Sequence, residues 1–428
     1  MNQTNEVKTK HQQMLELLDE IASSGKNLGI ILQNTEDKQM DGRTVLVKGN
    51  RLVNFTNCSY LGLEMDQRLI AGTIDAVTRY GTQFASSRSY LSMTLYQEIE
   101  ELLAKIFNMP VALSQTTSLG HISNIPILVG DNDAVIMDIS VHATVQEAVL
   151  LLHERNVTVE KIRHSRMDLL EERIKALQMT HDKIWYMCDG IYSMFGDGAP
   201  LDDLKSLLNN YEQFYLYVDD AHGMSWTGAN GAGYVMSKMP FHSKMYFTTS
   251  LAKGFGASGG VLAFPEVESF KRVHSYGRTF IFSTQISPPV LGAVLASAKI
   301  HLTSEIDLLQ SQLQERIKFF NQTAKMFDLP LVSDELTPVR FIALGKPQVG
   351  YNLVTRLINA GFYISLSVFP SVSINNTGLR IAITRHHSME DIENLLREIA
   401  VQLPFVLKEC NSSMKEILRS FKLGHREK

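Results

Sequence analysis

Lys253 stands alone in a loop of small residues between two apolar runs, Met245–Thr249 and Gly260–Phe264. An ammonium at a strand end, desolvated by apolar neighbours, has a lowered pKa and can attack a carbonyl carbon to form a Schiff base. A lysine by itself in such a loop is ordinarily a side chain reaching solvent along its own methylenes. Upstream, however, three further apolar runs also end in polar residues. Ala134–Met137 leads to Asp138 and His142, Ile184–Met187 to Asp189 and Ser193, and Phe214–Val218 to Asp219, Asp220 and His222. Thr248, Thr249 and Ser250 precede the lysine loop itself. Any one strand-end acid is usually a turn former or a helix cap. Together these residues could form one site if the runs are neighbours in one sheet.

The pattern around them predicts that sheet. From Asn57 onward short apolar runs alternate with helical periodicity, which implies an α/β fold with a mostly parallel sheet covered on both faces. Ligands of such sheets gather at the carboxyl ends of the strands. Thr94 and Gln97 read as a capping box for a helix burying Leu95, Ile99, Leu102, Leu103 and Ile106. Gly254, Gly256 and Gly259 spell the dinucleotide-binding pattern, but they run into an apolar strand rather than opening a helix, so no such site is expected. Before the sheet, residues 11–25 place Met14, Leu15, Leu17, Leu18 and Ile21 on one helical face, a docked amphipathic arm. A hairpin is expected from Thr44–Val47 and Arg51–Phe55. After Pro289 a long helical stretch, about 290–327, gives way to strands at Thr337–Leu344, Phe362–Leu366 and Gly378–Thr384, and Ser388 with Asp391 caps a last helix. The expected division is an arm and hairpin over 1–55, a large α/β domain over 56–290, and a small C-terminal α+β domain over 291–428 ending in a basic tail.

Composition narrows the function classes. A chain of 428 residues, 44% hydrophobic and 20% charged, is a globular protein with a sizeable core. A net charge of −4 provides no basic stripe for nucleic acid. Cys58, Cys188 and Cys410 are odd in number, lack C-x-x-C spacing and read as reduced thiols, and no metal site is expected. With no signal-like N-terminus and no apolar run of transmembrane length, the expectation is a cytoplasmic protein.

The ordered set Ser193, Asp219, His222 and Lys253 resembles the pyridoxal-phosphate enzymes of fold type I. Within them it is most similar to the α-oxoamine synthases, the family of 8-amino-7-oxononanoate synthase, 5-aminolevulinate synthase and serine palmitoyltransferase. The resemblance spans about Asn57 to Glu398 and is most specific at Val218–Gly223 and Ser250–Gly256. It implies a large mostly parallel domain with a small α+β domain, and pyridoxal 5'-phosphate held on Lys253, which then acts as general base. It further implies Asp219 at the ring nitrogen, His222 and Ser193 at the phenolic oxygen, and His142 stacked on the ring. Thr116, Thr117, Ser118 and Ser250 would hold the phosphate, joined by Ser283 and Thr284 from the second subunit of a homodimer with shared sites. Arg380 would grip the substrate carboxylate, with Asn57 and Ser87 on the substrate side.

The implied reaction joins an amino acid to an acyl thioester, on coenzyme A or a carrier protein, with loss of carbon dioxide to give an α-amino ketone. An aminotransferase of the same fold and an inactive partner subunit of a heteromeric synthase are the alternatives. Ile191–Ser193 and Ser250–Lys253 are also similar to autoinducer synthases. Three stretches depart from the family pattern. Thr82–Arg88 replaces a glycine-rich run, and Asn57-Cys-Ser-Tyr-Leu-Gly62 replaces Ser-Asn-Asp-Tyr-Leu-Gly. Asp189 stands where glutamate is frequent. Ser87, where glycine-specific members tend to carry threonine, points to alanine or serine.

Overall fold

A computed structural model describes residues 8–423; the first seven residues and the end of the basic tail lie outside them. In chain order the strands are β1 (Thr44–Val47), β2 (Asn50–Asn54), β3 (Val111–Ser114), β4 (Ala134–Asp138), β5 (Thr158–Ile162), β6 (Ile184–Asp189) and β7 (Phe214–Asp219). They continue with β8 (Met245–Ser250), β9 (Gly260–Ala263), β10 (Val339–Gly345), β11 (Phe362–Tyr363), β12 (Ser365–Ser367) and β13 (Thr377–Ala382). Two compact units result. The larger holds Cys58–Glu315 with Thr384–His386; the smaller holds the chain up to Asn57, Arg316–Ile383 and the chain from His387 onward.

The larger unit is built on one sheet of order β3-β9-β8-β7-β6-β4-β5. Strands β5, β4, β6, β7 and β8 pair in parallel, while β9 is antiparallel to both β8 and β3. The central strands are apolar almost throughout because both faces are covered, as parallel sheets require. Strand alternation sorts their side chains into two cores. Tyr186, Cys188, Leu216 and Val218 enter one, and Trp185, Met187, Tyr217 and Tyr246 the other. The helix Thr117–Leu128 lies on the second face, contributing Ile125 to that core.

In the smaller unit β10, β13 and β12 form an antiparallel sheet, and β1, β2 and β11 form a mixed one in which β11 runs parallel to β2. The helix Met389–Glu409 opens with the expected capping box between Ser388 and Asp391, and Asp391 also pairs with Arg43 at 2.5 Å. The helix Lys10–Asn27 starts at its own capping box on Thr9, but Met14 and Leu15 remain exposed, so the apolar face of the arm is only partly covered.

Several expectations differ from the structure. Thr94 is the first helical residue, after an N-cap at Met93 with no side-chain bond, so the capping box is not formed. The long stretch after Pro289 breaks into Pro288–His301 and Glu305–Met326. The first of these belongs to the larger unit because it packs on Gln67–Tyr80. Gly72 and Gly292 permit that approach: a Cβ at Gly292 would come within 2.1 Å of the Gly72 carbonyl oxygen. The units therefore part near 316 rather than 291, and the N-terminal arm and hairpin belong with the smaller one. Among the described residues no helix is long and apolar enough to cross a membrane.

Candidate active site

At the carboxyl ends of β8, β7, β6 and β4 lies a cavity of about 170 Å³, all within the larger unit. Its lining includes Lys253, Asp219, His222, His142, Thr116, Thr117, Ser118 and Ser250. The parallel register gathers them, since Asp189, Asp219 and Thr248 are aligned on three adjacent strands. Each crossover then returns the chain to the same edge.

Asp219 is the electrostatic centre. Its carboxylate is buried and accepts two hydrogen bonds, from His121 Nε2 to Oδ2 at 3.0 Å and from the Ala221 amide to Oδ1 at 3.0 Å. Burial alone would raise this acid. The His121 hydrogen bond and the nearby Lys253 charge outweigh burial and hold it below the usual carboxylate range. Behind it runs a fully buried relay. The Thr248 hydroxyl donates to the Tyr217 hydroxyl at 3.0 Å, and Tyr217 donates to His121 Nδ1 at 2.8 Å, which leaves the imidazole proton on Nε2 facing the carboxylate. Sequence reasoning missed His121. Its available signal was its place four residues after Thr117, on the same helical face as a residue already assigned to the site.

His222 is fixed by a 2.6 Å hydrogen bond between its Nδ1 and the buried Tyr60 hydroxyl. The exposed His142 ring is oriented by the Thr144 amide, which donates to Nδ1 at 3.3 Å and leaves the proton on Nε2. Thr116 caps the helix Thr117–Leu128, its hydroxyl accepting from the Leu119 amide at 3.1 Å. The Thr117 end approaches the sheet closely because residue 260 is glycine: a Cβ there would stand 2.6 Å from the Thr117 nitrogen. Two of the three glycines of the dinucleotide-like pattern have local reasons as well. Gly256 adopts a φ of +77° and lies against Leu63, and a Cβ at Gly254 would meet the Met224 carbonyl oxygen at 2.7 Å.

Other expected residues lie elsewhere. Ser193 follows β6 in a turn and does not line the cavity. Ser87 donates to the Ile281 carbonyl at 2.7 Å, tying its loop to the segment before Ser283. Ser283 and Thr284 line a separate small cavity with Arg88 and Gln285, and the Ser283 hydroxyl donates to Gln115 Oε1 at 2.8 Å. Asn57 and Arg380 are half-buried in the smaller unit, Arg380 on β13 opposite Phe341 and Ser365.

The donor set fits pyridoxal phosphate. A helix N-terminus with hydroxyls suits a phosphate, a buried ionised acid suits a protonated ring nitrogen, an exposed imidazole suits a flat ring, and a lysine suits the carbonyl carbon. Fold and site thus define a pyridoxal-phosphate-dependent enzyme of fold type I. Residues 52–399 match the family described as aminotransferase class I and II, and the chain belongs to that family, on its α-oxoamine synthase branch. It is similar to 8-amino-7-oxononanoate synthases, 26% identical to that of Thermoanaerobacter pseudethanolicus over 90% of this chain and 95% of the relative. To that of Symbiobacterium thermophilum it is 29% identical over 83% and 89%. Among solved structures, a serine palmitoyltransferase variant from S. paucimobilis superposes with a TM-score of 0.84 at 19% identity, covering 93% of this chain and 99% of that one.

Proposed function

We propose that the protein condenses a small amino acid, alanine or serine in preference to glycine, with an acyl thioester on coenzyme A or a carrier protein. Carbon dioxide is lost and an α-amino ketone is released. The observation that carries this reading is the gathering of Lys253, Asp219, His142, His222 and the Thr117 helix end on one cavity. Bound there, pyridoxal phosphate supplies a carbonyl carbon for the amino group and an electron sink for a carbanion at Cα. Lys253 would hold the cofactor through its amine and, with that amine free, would take the α-proton of the amino acid. Asp219 keeps a proton on the ring nitrogen, and its own negative charge is maintained by His121. His142 covers the ring, and His222 donates to the phenolic oxygen. Thr116, Thr117, Ser118 and Ser250 bind the phosphate. In this reading Arg380 grips the substrate carboxylate through its fork of donors, with Asn57 and Ser87 beside the substrate. The protein works as a cytoplasmic homodimer in which Ser283 and Thr284 reach the partner's phosphate.

The test is spectroscopic and then chemical. The purified protein should show a visible absorption band that Lys253→Ala abolishes. Carbon dioxide release should require both one amino acid and an acyl thioester. Turnover with a keto acid and no thioester would make it an aminotransferase. A colourless wild-type protein would end the reading altogether.

A further inference from the structure

Asp189 belongs to the cavity but has no part in the chemistry assigned so far. It ends β6 in register with Asp219 on β7, and strand alternation turns both side chains to the same sheet face. It is 4% exposed and lines the cavity. Its one hydrogen bond comes from the His142 amide to Oδ1, at 3.0 Å, and its other oxygen has no partner among the described residues. A nine-tenths buried carboxyl group facing a cavity with half its hydrogen-bonding capacity unused points to a ligand.

We propose that Asp189 is a ligand-facing acid of this site and that, as the neutral carboxylic acid, it donates a hydrogen bond to the phenolic oxygen of the bound cofactor. The proposal rests on the cofactor reading above. Three arguments support it. The first is the division of charge between neighbouring carboxyls. Asp219 has His121 and the Ala221 amide to stabilise its anion, whereas Asp189 has one amide, and two adjacent buried carboxyls do not readily both ionise. Burial and the Asp219 charge, with Asp138 from β4, push the Asp189 carboxyl well above its ordinary range, against the His142 amide and the Lys253 charge. Cys188 precedes it on β6 and is itself held protonated by burial. The second is hydrogen-bond chemistry. A neutral carboxylic acid carries one O–H, and Oδ1 is already receiving the His142 amide, so the proton faces an acceptor that the protein does not supply.

The third argument is topological. On a pyridoxal ring the phenolic oxygen lies between the ring nitrogen and the carbonyl-bearing carbon, on the side away from the phosphate arm. The phosphate-binding helix follows β3, Lys253 follows β8 and Asp219 ends β7, in the order β3-β9-β8-β7-β6. Asp189, on β6, stands beyond Asp219 on the side opposite that helix. Ser193, the hydroxyl expected at this oxygen, does not line the cavity.

The test is a pH titration of the visible band of the cofactor-loaded protein without substrate, for wild type, Asp189→Asn and Asp189→Ala. A donor at the phenolic oxygen lowers the basicity of the nitrogen conjugated to it. Asp189→Ala should therefore raise the midpoint by about one pH unit, while Asp189→Asn, an amide donor of the same shape, should leave it within about 0.3 unit. An ionised Asp189 would act oppositely: neutralising it in Asp189→Asn would lower the midpoint by about one unit, and that result overturns the proposal. An unchanged midpoint in Asp189→Ala overturns it too. Should that variant not fold, Asp189→Leu, which fills the same space without a donor, should raise the midpoint in its place, and an unchanged midpoint there overturns the proposal. A wild type without a visible band overturns the cofactor reading, and this one with it; a normal band with the wrong shift overturns only this one.

Discussion

Replacing His121 by phenylalanine isolates the contact that holds Asp219 ionised. A ring of similar size stays in a position with no solvent exposure, while the Nε2–H donor at 3.0 Å from the carboxylate disappears. A hydrogen bond to a charged group contributes roughly 1.5–3 kcal/mol. The Tyr217 hydroxyl, 2.8 Å from Nδ1, also loses its acceptor, which costs about 1 kcal/mol more. The expected loss at pH 7 is therefore about 2.5–4 kcal/mol, read from urea unfolding of wild type and variant side by side. The pH dependence gives the sign. A carboxyl whose folded pKa is depressed contributes stability above its unfolded value, roughly 3.9, and loses it as pH falls through the folded value. The gap between wild type and His121→Phe should be widest near neutrality and close towards pH 3. In the variant, burial drives Asp219 towards the neutral acid, which cannot keep a proton on a ring nitrogen, so cofactor affinity should fall by about tenfold or more. Equal unfolding midpoints at pH 7, or a gap that does not change with pH, would refute the claim that His121 holds this charge.

Three further outcomes are expected. His164 bridges Asp138 at 3.0 Å and Asp197 at 2.7 Å. Burial pulls it down, but these bonds and charges push it up to about 10. Its stabilisation is thus complete below about pH 6.5 and lost as pH rises through about 10, and His164→Gln should cost about 2–3 kcal/mol at pH 6 with the difference vanishing near pH 10. Asp220 is held neutral by burial, so Asp220→Asn should unfold within about 1 kcal/mol of wild type at pH 6 and be the more stable form at pH 9; a loss above about 3 kcal/mol would show an ionised Asp220. Gly256→Ala forces an L residue to a φ of +77° with its Cβ 2.6 Å from that of Leu63. It should cost more than about 2 kcal/mol and lower the cofactor content of purified protein, because the same loop carries Lys253.

Much of this was legible in the sequence for identifiable reasons. Fully buried parallel strands are apolar throughout, so β4, β6, β7 and β8 stood out with the polar residues that terminate them. The strands not foreseen were β3, only four residues long, and β5, whose Thr158–Ile162 run carries a glutamate and a lysine because it is the edge of the sheet. The break at 302–304 was invisible because apolar spacing continues through it. His121 and Tyr60 were missed for a different reason. Each acts through another side chain, and a contact between residues 98 or 162 positions apart leaves no local trace.

The adjacent acids Asp219 and Asp220 show how one register sets the chemistry. They are consecutive, equally buried and of identical type, yet one is held ionised and the other neutral. The difference is the face each side chain meets. Asp219, on the Tyr217 face of β7, finds the imidazole N–H of His121. Asp220, one residue on, turns into a cage where its Oδ2 accepts from the Val235 amide at 3.0 Å and its Oδ1 has no partner. Three glycines make that cage: a Cβ at Gly190, Gly223 or Gly233 would lie 2.3, 2.1 or 2.6 Å from an Asp220 carboxyl oxygen. A slip of one residue in β7 would exchange the two environments. The second acid would then face the cavity and the first would be sealed in an apolar cage. The glycines that accommodate Asp220 therefore help to fix which carboxylate meets the cavity, and in the reading proposed above that choice decides whether the site has an anion for the ring nitrogen.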